Sequence, residues 1–162
     1  MIKKLNSTSD WTAFALDNTK YLEPNGTPPF RTANVWQNTS PTSSVFTLTT
    51  GGDSNGNGNE YIAYLFSDID NVSKVGSYTG NGGTQSITVG FQPDWLVFKS
   101  TNNTEDWYVM DSTRGVNNVL YWNSDGAEGT SAGVSFTSTG FELTSSFNAS
   151  ARDYLYLAFK TN

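Results

Sequence analysis

Any acid–base chemistry in this 162-residue chain falls to its fifteen acidic side chains, because it contains no histidine and no cysteine. The commonest general base, the thiol nucleophile and the usual transition-metal ligands are therefore missing. Asp94, Glu105, Asp106, Asp111, Glu128 and Asp153 are the residues from which a glycosidase would draw its acid and its base or nucleophile. That chemistry needs two carboxyl groups about 5 to 10 Å apart. Nothing in the spacing pairs any two of the six, so no catalytic residue and no cofactor is assigned.

Three other groups of residues could bind rather than react. Asp53-Ser54-Asn55-Gly56-Asn57-Gly58 matches the opening of a calcium loop, in which oxygen ligands alternate with a glycine that permits a sharp bend. The closing glutamate is replaced by Tyr64, and Glu60 comes too early, so the tract reads as a flexible hairpin tip and no metal site is expected. Asp111 and Arg114 flank a turn, where the guanidinium can lock the reversal or reach a ligand. Trp36, Trp95, Trp107 and Trp122 present flat faces on which a sugar ring can stack. Trp95 and Trp107 lie inside apolar runs and read as core. Trp36 and Trp122 sit among Asn, Ser and Gln and are candidates for exposed contacts, although burial fits them equally well.

The elements that must position these groups are strands. Tyr61-Ile62-Ala63-Tyr64-Leu65-Phe66 is an uninterrupted apolar run, which suits a central strand covered on both faces. Ser73–Tyr78 alternates and breaks at Thr79-Gly80-Asn81-Gly82-Gly83, whose glycines permit a tight reversal. Further strands are expected at 9–16, 42–49, 86–91, 94–99, 107–110, 119–122, 134–136, 140–143 and 154–159. The strands at 42–49 and 61–66 read as a hairpin with a long tip. Pro24, Pro28 and Pro29 mark the loop between the first two strands.

Composition agrees: aromatics make up 14% of residues and charged groups only 15%, so Trp, Tyr and Phe must supply much of the burial. Abundant Gly, Asn, Ser and Thr disfavour long helices. The net charge of −6, with no basic cluster, excludes a surface that tracks phosphates and hence nucleic acid as a partner. The first seven residues carry two lysines with no apolar run behind them, so no signal peptide is read. No stretch approaches the length of a membrane-spanning helix, and no membrane insertion is expected.

Laid side by side, the strands repeat at an offset near 95 residues. Asp10-Trp11 matches Asp106-Trp107, Val45–Leu48 matches Gly140–Leu143, and Tyr61–Phe66 matches Tyr154–Phe159. The reading is one sandwich domain over 1–162, with a partial copy at 10–66 and a fuller one at 73–160. Nothing before Trp11 corresponds to Ser73–Lys99.

Several motifs in fixed order carry a resemblance. They are Pro41–Phe46, Tyr61–Phe66, Ser73–Gly82, Gly90-Phe91-Gln92-Pro93, Trp107, Asp111-Ser112-Thr113-Arg114-Gly115, Gly140–Leu143 and Tyr156–Phe159. Together they resemble a β-domain of unassigned biochemical function found, often in tandem, in fibre-like and other virion proteins of tailed phages, marine ones especially. The resemblance covers nearly everything from Asp10 to Lys160 and implies a virion or adhesin-like setting without known catalytic residues.

The expectations are therefore an all-β, antiparallel β-sandwich, jelly-roll or lectin-like, with two related halves and long polar loops. Its inward faces should carry Ile62, Tyr64, Phe66, Val75, Tyr78, Ile87, Val89, Leu96, Phe98, Val109, Phe141, Leu143, Leu155, Leu157 and Phe159. The expected role is a non-enzymatic virion component, a tail-fibre or spike module or a capsid decoration, made in the host cytoplasm. Its partners would be other virion proteins or copies of itself, meeting through the loops at 23–30, 51–59 and 123–131. The alternative is a lectin-like module that binds a host-surface glycan through Trp36, Trp122, Arg114 and Asp111, and a carbohydrate hydrolase ranks third.

Overall fold

A computed structural model describes residues 2–4, 11–12, 14–15, 17–51 and 54–161. Among them there is no helix, and the strands run β1 Ile2–Lys4, β2 Trp11–Thr12, β3 Phe14–Ala15, β4 Lys20–Leu22, β5 Arg31–Thr32, β6 Tyr61–Ala63, β7 Ser73–Thr79, β8 Gln85–Thr88, β9 Trp95–Ser100, β10 Tyr108–Asp111, β11 Asn118–Tyr121, β12 Gly129–Thr130, β13 Val134–Thr137, β14 Gly140–Leu143 and β15 Asp153–Phe159. Every pairing is antiparallel. The chain divides into two compact units, Met1–Leu65 and Phe66–Asn162.

The second unit is a two-layer sandwich: a six-stranded sheet in the order β12-β11-β10-β9-β15-β7 and a three-stranded sheet β13-β14-β8. Alternation along β15 sends Tyr154, Tyr156 and Ala158 into the core with Phe98, Met110 and Phe141, where the Tyr156 and Phe141 rings meet edge to face at 5.2 Å. Removing each such large side chain from water contributes about 1.5–3 kcal/mol. Leu155, Leu157 and Val97 point the other way and are also fully buried, as continuous apolar runs require.

The reversal at Gly80–Gly83 forms as its glycines suggest. Gly82 has φ +79°, and a Cβ on Gly80 would overlap the carbonyl oxygen of Ala149. Only glycine fits both demands without strain.

The first unit contains two three-stranded sheets, β2-β1-β6 and β3-β4-β5. Its described core is built on Trp36, packed by Tyr21, Val35, Phe46, Leu48 and Tyr61. The register of the first sheet parallels that of the six-stranded sheet. Ile2 and Lys3 face Ala63 and Ile62, as Phe98 and Lys99 face Tyr156 and Leu155. Ile2 faces Thr12 across β2 as Phe98 faces Tyr108 across β10.

Several expectations are corrected. The run 61–66 is a strand only over Tyr61–Ala63, and among the described residues it stands at the end of the order β2-β1-β6 instead of near the centre. Ile62, Tyr64 and Phe66 are accordingly exposed, not core. The hairpin with 42–49 does not form, since β6 pairs with β1, and Phe46 and Leu48 serve as packing for Trp36 without joining a ladder. Of the strand expected over 9–16, Trp11–Thr12 and Phe14–Ala15 form, while Ser9, Asp10, Ala13 and Leu16 lie outside the described residues.

Candidate functional site

The β10–β11 connection brings Asp111 and Arg114 together. Asp111 Oδ1 accepts the Arg114 amide at 2.8 Å and Oδ2 accepts Arg114 Nε at 2.6 Å, closing the turn on its own side chain. Arg114 Nη1 donates at 2.6 Å to Glu128 Oε2, in the segment leading into β12. Asn118 Nδ2 donates to the Arg114 carbonyl and fixes the far side of the turn. Burial alone would raise the Asp111 pKa, but the hydrogen bonds from Arg114 outweigh it and hold the carboxyl below its usual range. The guanidinium is discouraged by burial, yet the bonds to Glu128 and Asp111 raise its pKa above the ordinary value. Two carboxylates thus share one cation. Arg114 Nη2 is buried and has no hydrogen-bond partner among the described residues.

Beside this cluster lies an aromatic row. Asp111 is directly opposite Trp95 in the β9–β10 ladder, so both side chains emerge on the same face. The Trp95 ring meets Trp122 at 6.2 Å and Phe159 at 5.5 Å, and Trp122 meets Trp107 at 6.0 Å, the indole pairs edge to face. Trp107 is fully buried, whereas Trp95 and Trp122 are half-buried and Leu120, on the same face of β11, is exposed. On this face Val97, Leu155, Leu157 and Trp107 are fully buried and Leu120 is exposed, while the Arg114 cluster follows Asp111 at the end of β10.

Of the four residues singled out as contacts, Asp111 and Arg114 meet in one turn, and Trp95, opposite Asp111, links them to Trp122. Trp36 joins neither. Its side chain is buried in the first unit, and its Nε1 donates to the Lys20 carbonyl at 3.2 Å, which makes it a core residue. The expectation that Trp95 is core is met only by half. Glu128 joins the Arg114 cluster and was not expected there; the three-residue spacing in Asp111–Arg114 was the only local signal.

The other carboxylates are each tied to a partner of their own. Asp94 accepts from the Thr161 amide at 2.8 Å, Asp106 from Asn123 Nδ2 at 2.8 Å and Asp153 from Thr79 Oγ1 at 2.8 Å, while Glu105 pairs with Arg152. A fully buried cation, Lys99, donates from Nζ to the Glu105 carbonyl at 2.7 Å.

In the first unit, Thr50, Gly51 and Asn55–Asn59 line a cavity of about 570 Å³. Asp53, which would open a calcium loop, lies outside the described residues. Ser54 is buried, and Gly56 N donates to Tyr61 Oη at 2.8 Å, so the tract folds back onto β6. Among the described residues no group of three or more acidic side chains gathers to hold a metal ion.

No curated protein and no solved structure matches the chain. A family model described as a domain of unknown function, DUF7483, matches residues 1–162, and the chain belongs to that family.

Proposed function

We propose that this chain is a non-enzymatic module of a phage virion surface, a tail-fibre or spike module or a capsid decoration, that contacts a glycan through the outer face around Trp95 and Trp122. The observation that carries the glycan reading is the juxtaposition of those indoles with the Arg114 cluster. A pyranose offers an apolar C–H face, which suits the exposed part of Trp122, and a rim of hydroxyls, which suits the carboxylates of Glu128 and Asp111. A lectin-like function asks nothing more of the site. A hydrolase would need one carboxyl kept protonated, and the Arg114 hydrogen bonds favour the ionised form of Asp111 instead. The virion setting is supported by the motif resemblance.

Glycan-array binding by the full chain, repeated with Trp122→Ala and Arg114→Met, tests the reading. Saturable binding to one glycan class, weakened about tenfold or more in both variants, is expected. Absence of binding to any glycan, or binding unaffected by Trp122→Ala, would sink it.

A further inference from the structure

Four asparagines are followed by glycine, Asn25, Asn55, Asn57 and Asn81. In such a pair the main-chain nitrogen of the glycine can attack the asparagine side chain, because no Cβ shields it and the backbone is free to turn. Three of the four nitrogens are committed as donors. Gly26 N donates to the Glu23 carbonyl at 3.1 Å, Gly56 N to Tyr61 Oη at 2.8 Å and Gly82 N to the Asn148 carbonyl at 2.7 Å. The one aspartate followed by glycine, Asp125, is guarded in the same way, since Gly126 N donates to Ser124 Oγ at 3.0 Å. Gly58 N makes no hydrogen bond among the described residues. Asn57 and Gly58 are the central pair of a turn that Asn59 N closes on the Gly56 carbonyl at 3.2 Å, and both are exposed. Gly58 has φ +75°, with nothing within 4 Å of the place a Cβ would take. Both residues line the cavity of about 570 Å³, which gives water access to them.

We propose that Asn57 is a self-modification site, at which the Gly58 nitrogen turns the side-chain amide into a carboxylate. The Gly58 N–Cγ bond forms, the N–H proton passes to water, and the bond from Cγ to Nδ2 breaks with departure of ammonia, leaving a cyclic imide. Solvent water then opens the ring. Attack at Cγ gives aspartate, and attack at the main-chain carbonyl carbon of residue 57 gives isoaspartate, with the chain routed through Cγ. One water is consumed and one ammonia released. The described lining of the cavity, Thr50, Gly51 and Asn55–Asn59, carries no charge, so the product places an anion on a neutral rim. The isoaspartate form also lengthens the loop by one methylene. The loop therefore presents a neutral rim when newly made and an anionic one with age. The proposal is independent of the glycan reading, which concerns the second unit.

The test is incubation of the full chain for days in isotopically labelled water at mildly alkaline pH, followed by peptide mass spectrometry with fragmentation that separates aspartate from isoaspartate. Label should enter at residue 57 about fivefold or more faster than at 25, 55 or 81, the factor that one ordinary amide hydrogen bond is worth. In urea the preference should vanish. Tyr61→Phe keeps the ring and removes the acceptor of Gly56 N, so it should raise the rate at Asn55 toward that at Asn57. Conversion at Asn57 no faster than at the other three, or the same ranking in the unfolded chain, would overturn the proposal. So would an unchanged rate at Asn55 in a Tyr61→Phe chain that keeps its fold.

Discussion

Trp95 stands directly opposite Asp111 across the β9–β10 ladder, and Asp111 in turn grips Arg114 through both carboxylate oxygens. The turn that follows β10 is therefore fastened beside the aromatic row, and its stability is tied to the charge of one carboxylate.

Replacing Asp111 with Asn should remove that charge and destabilise the second unit by about 1 kcal/mol, a value limited by partial exposure of both partners. The folded-state pKa of Asp111 is depressed, so its contribution is fully present above the unfolded value of 3.8 and is lost as pH falls through the lower folded value. Denaturation midpoints of wild type and Asp111→Asn should thus differ by a constant amount at neutral pH and converge in strong acid. A difference that persists below the carboxylate range would show that the turn is held by shape alone.

Lys99 predicts a slope of the same sign on the alkaline side. Burial pushes its pKa down to about 8 from 10.5, partly opposed by the nearby charge of Asp106. Below that value both states carry the proton and the folded state bears the full penalty. As pH rises through 8 toward 10.5 the unfolded state binds more protons, so stability increases, by an amount of up to about 3 kcal/mol. Above about pH 10 the trend should reverse. Burial raises the pKa values of Tyr78, Tyr108 and Tyr156, so they hold their protons while unfolded tyrosines ionise. Lys99→Met should flatten the rise between pH 8 and 10 in urea midpoints. An unchanged rise in that variant would assign it to another group.

How much of this was legible in the sequence depended on whether a local pattern decided the outcome. The runs at Trp95–Ser100 and Asp153–Phe159 became the central strands of a sheet because nearly every residue in them is apolar, and the Gly80–Gly83 turn was readable because positive φ and close approach both demand glycine. Tyr61–Phe66 carries the same pattern as Tyr154–Phe159, yet forms a strand over three residues only and leaves Ile62, Tyr64 and Leu65 exposed. Composition tells a strand which faces it can tolerate, not which neighbours it will have. For Trp36 the polar neighbours left exposure and burial equally open, and the structure buries it. Gln37 and Asn38 adopt left-handed conformations, with φ near +50°, in the turn after it, and the ring turns inward while they stay exposed. The Arg114–Glu128 bond spans fourteen residues and exists only because β11 and β12 pair, so no spacing rule announces it.

Asn148 gives the sharpest test of the sandwich itself. It is fully buried, and its Nδ2 donates to Asn81 Oδ1 at 2.7 Å and to the Gly83 carbonyl at 2.9 Å, while its own carbonyl accepts from Gly82 N at 2.7 Å. One amide thereby anchors the β7–β8 turn to the segment before β15. Asn148→Leu fills a similar volume but removes both donors, so the turn loses two part-buried hydrogen bonds, at a cost of about 1–3 kcal/mol. Asn148→Asp also removes the amide donors and places a carboxylate beside those same oxygens, so it should cost at least as much at neutral pH and recover part of the loss when protonated in acid. Chemical denaturation of the three proteins at pH 7 and pH 4 separates the cases. Equal stability of wild type and Asn148→Leu would mean that the turn is held by its glycines and by β7–β15 pairing without help from the buried amide.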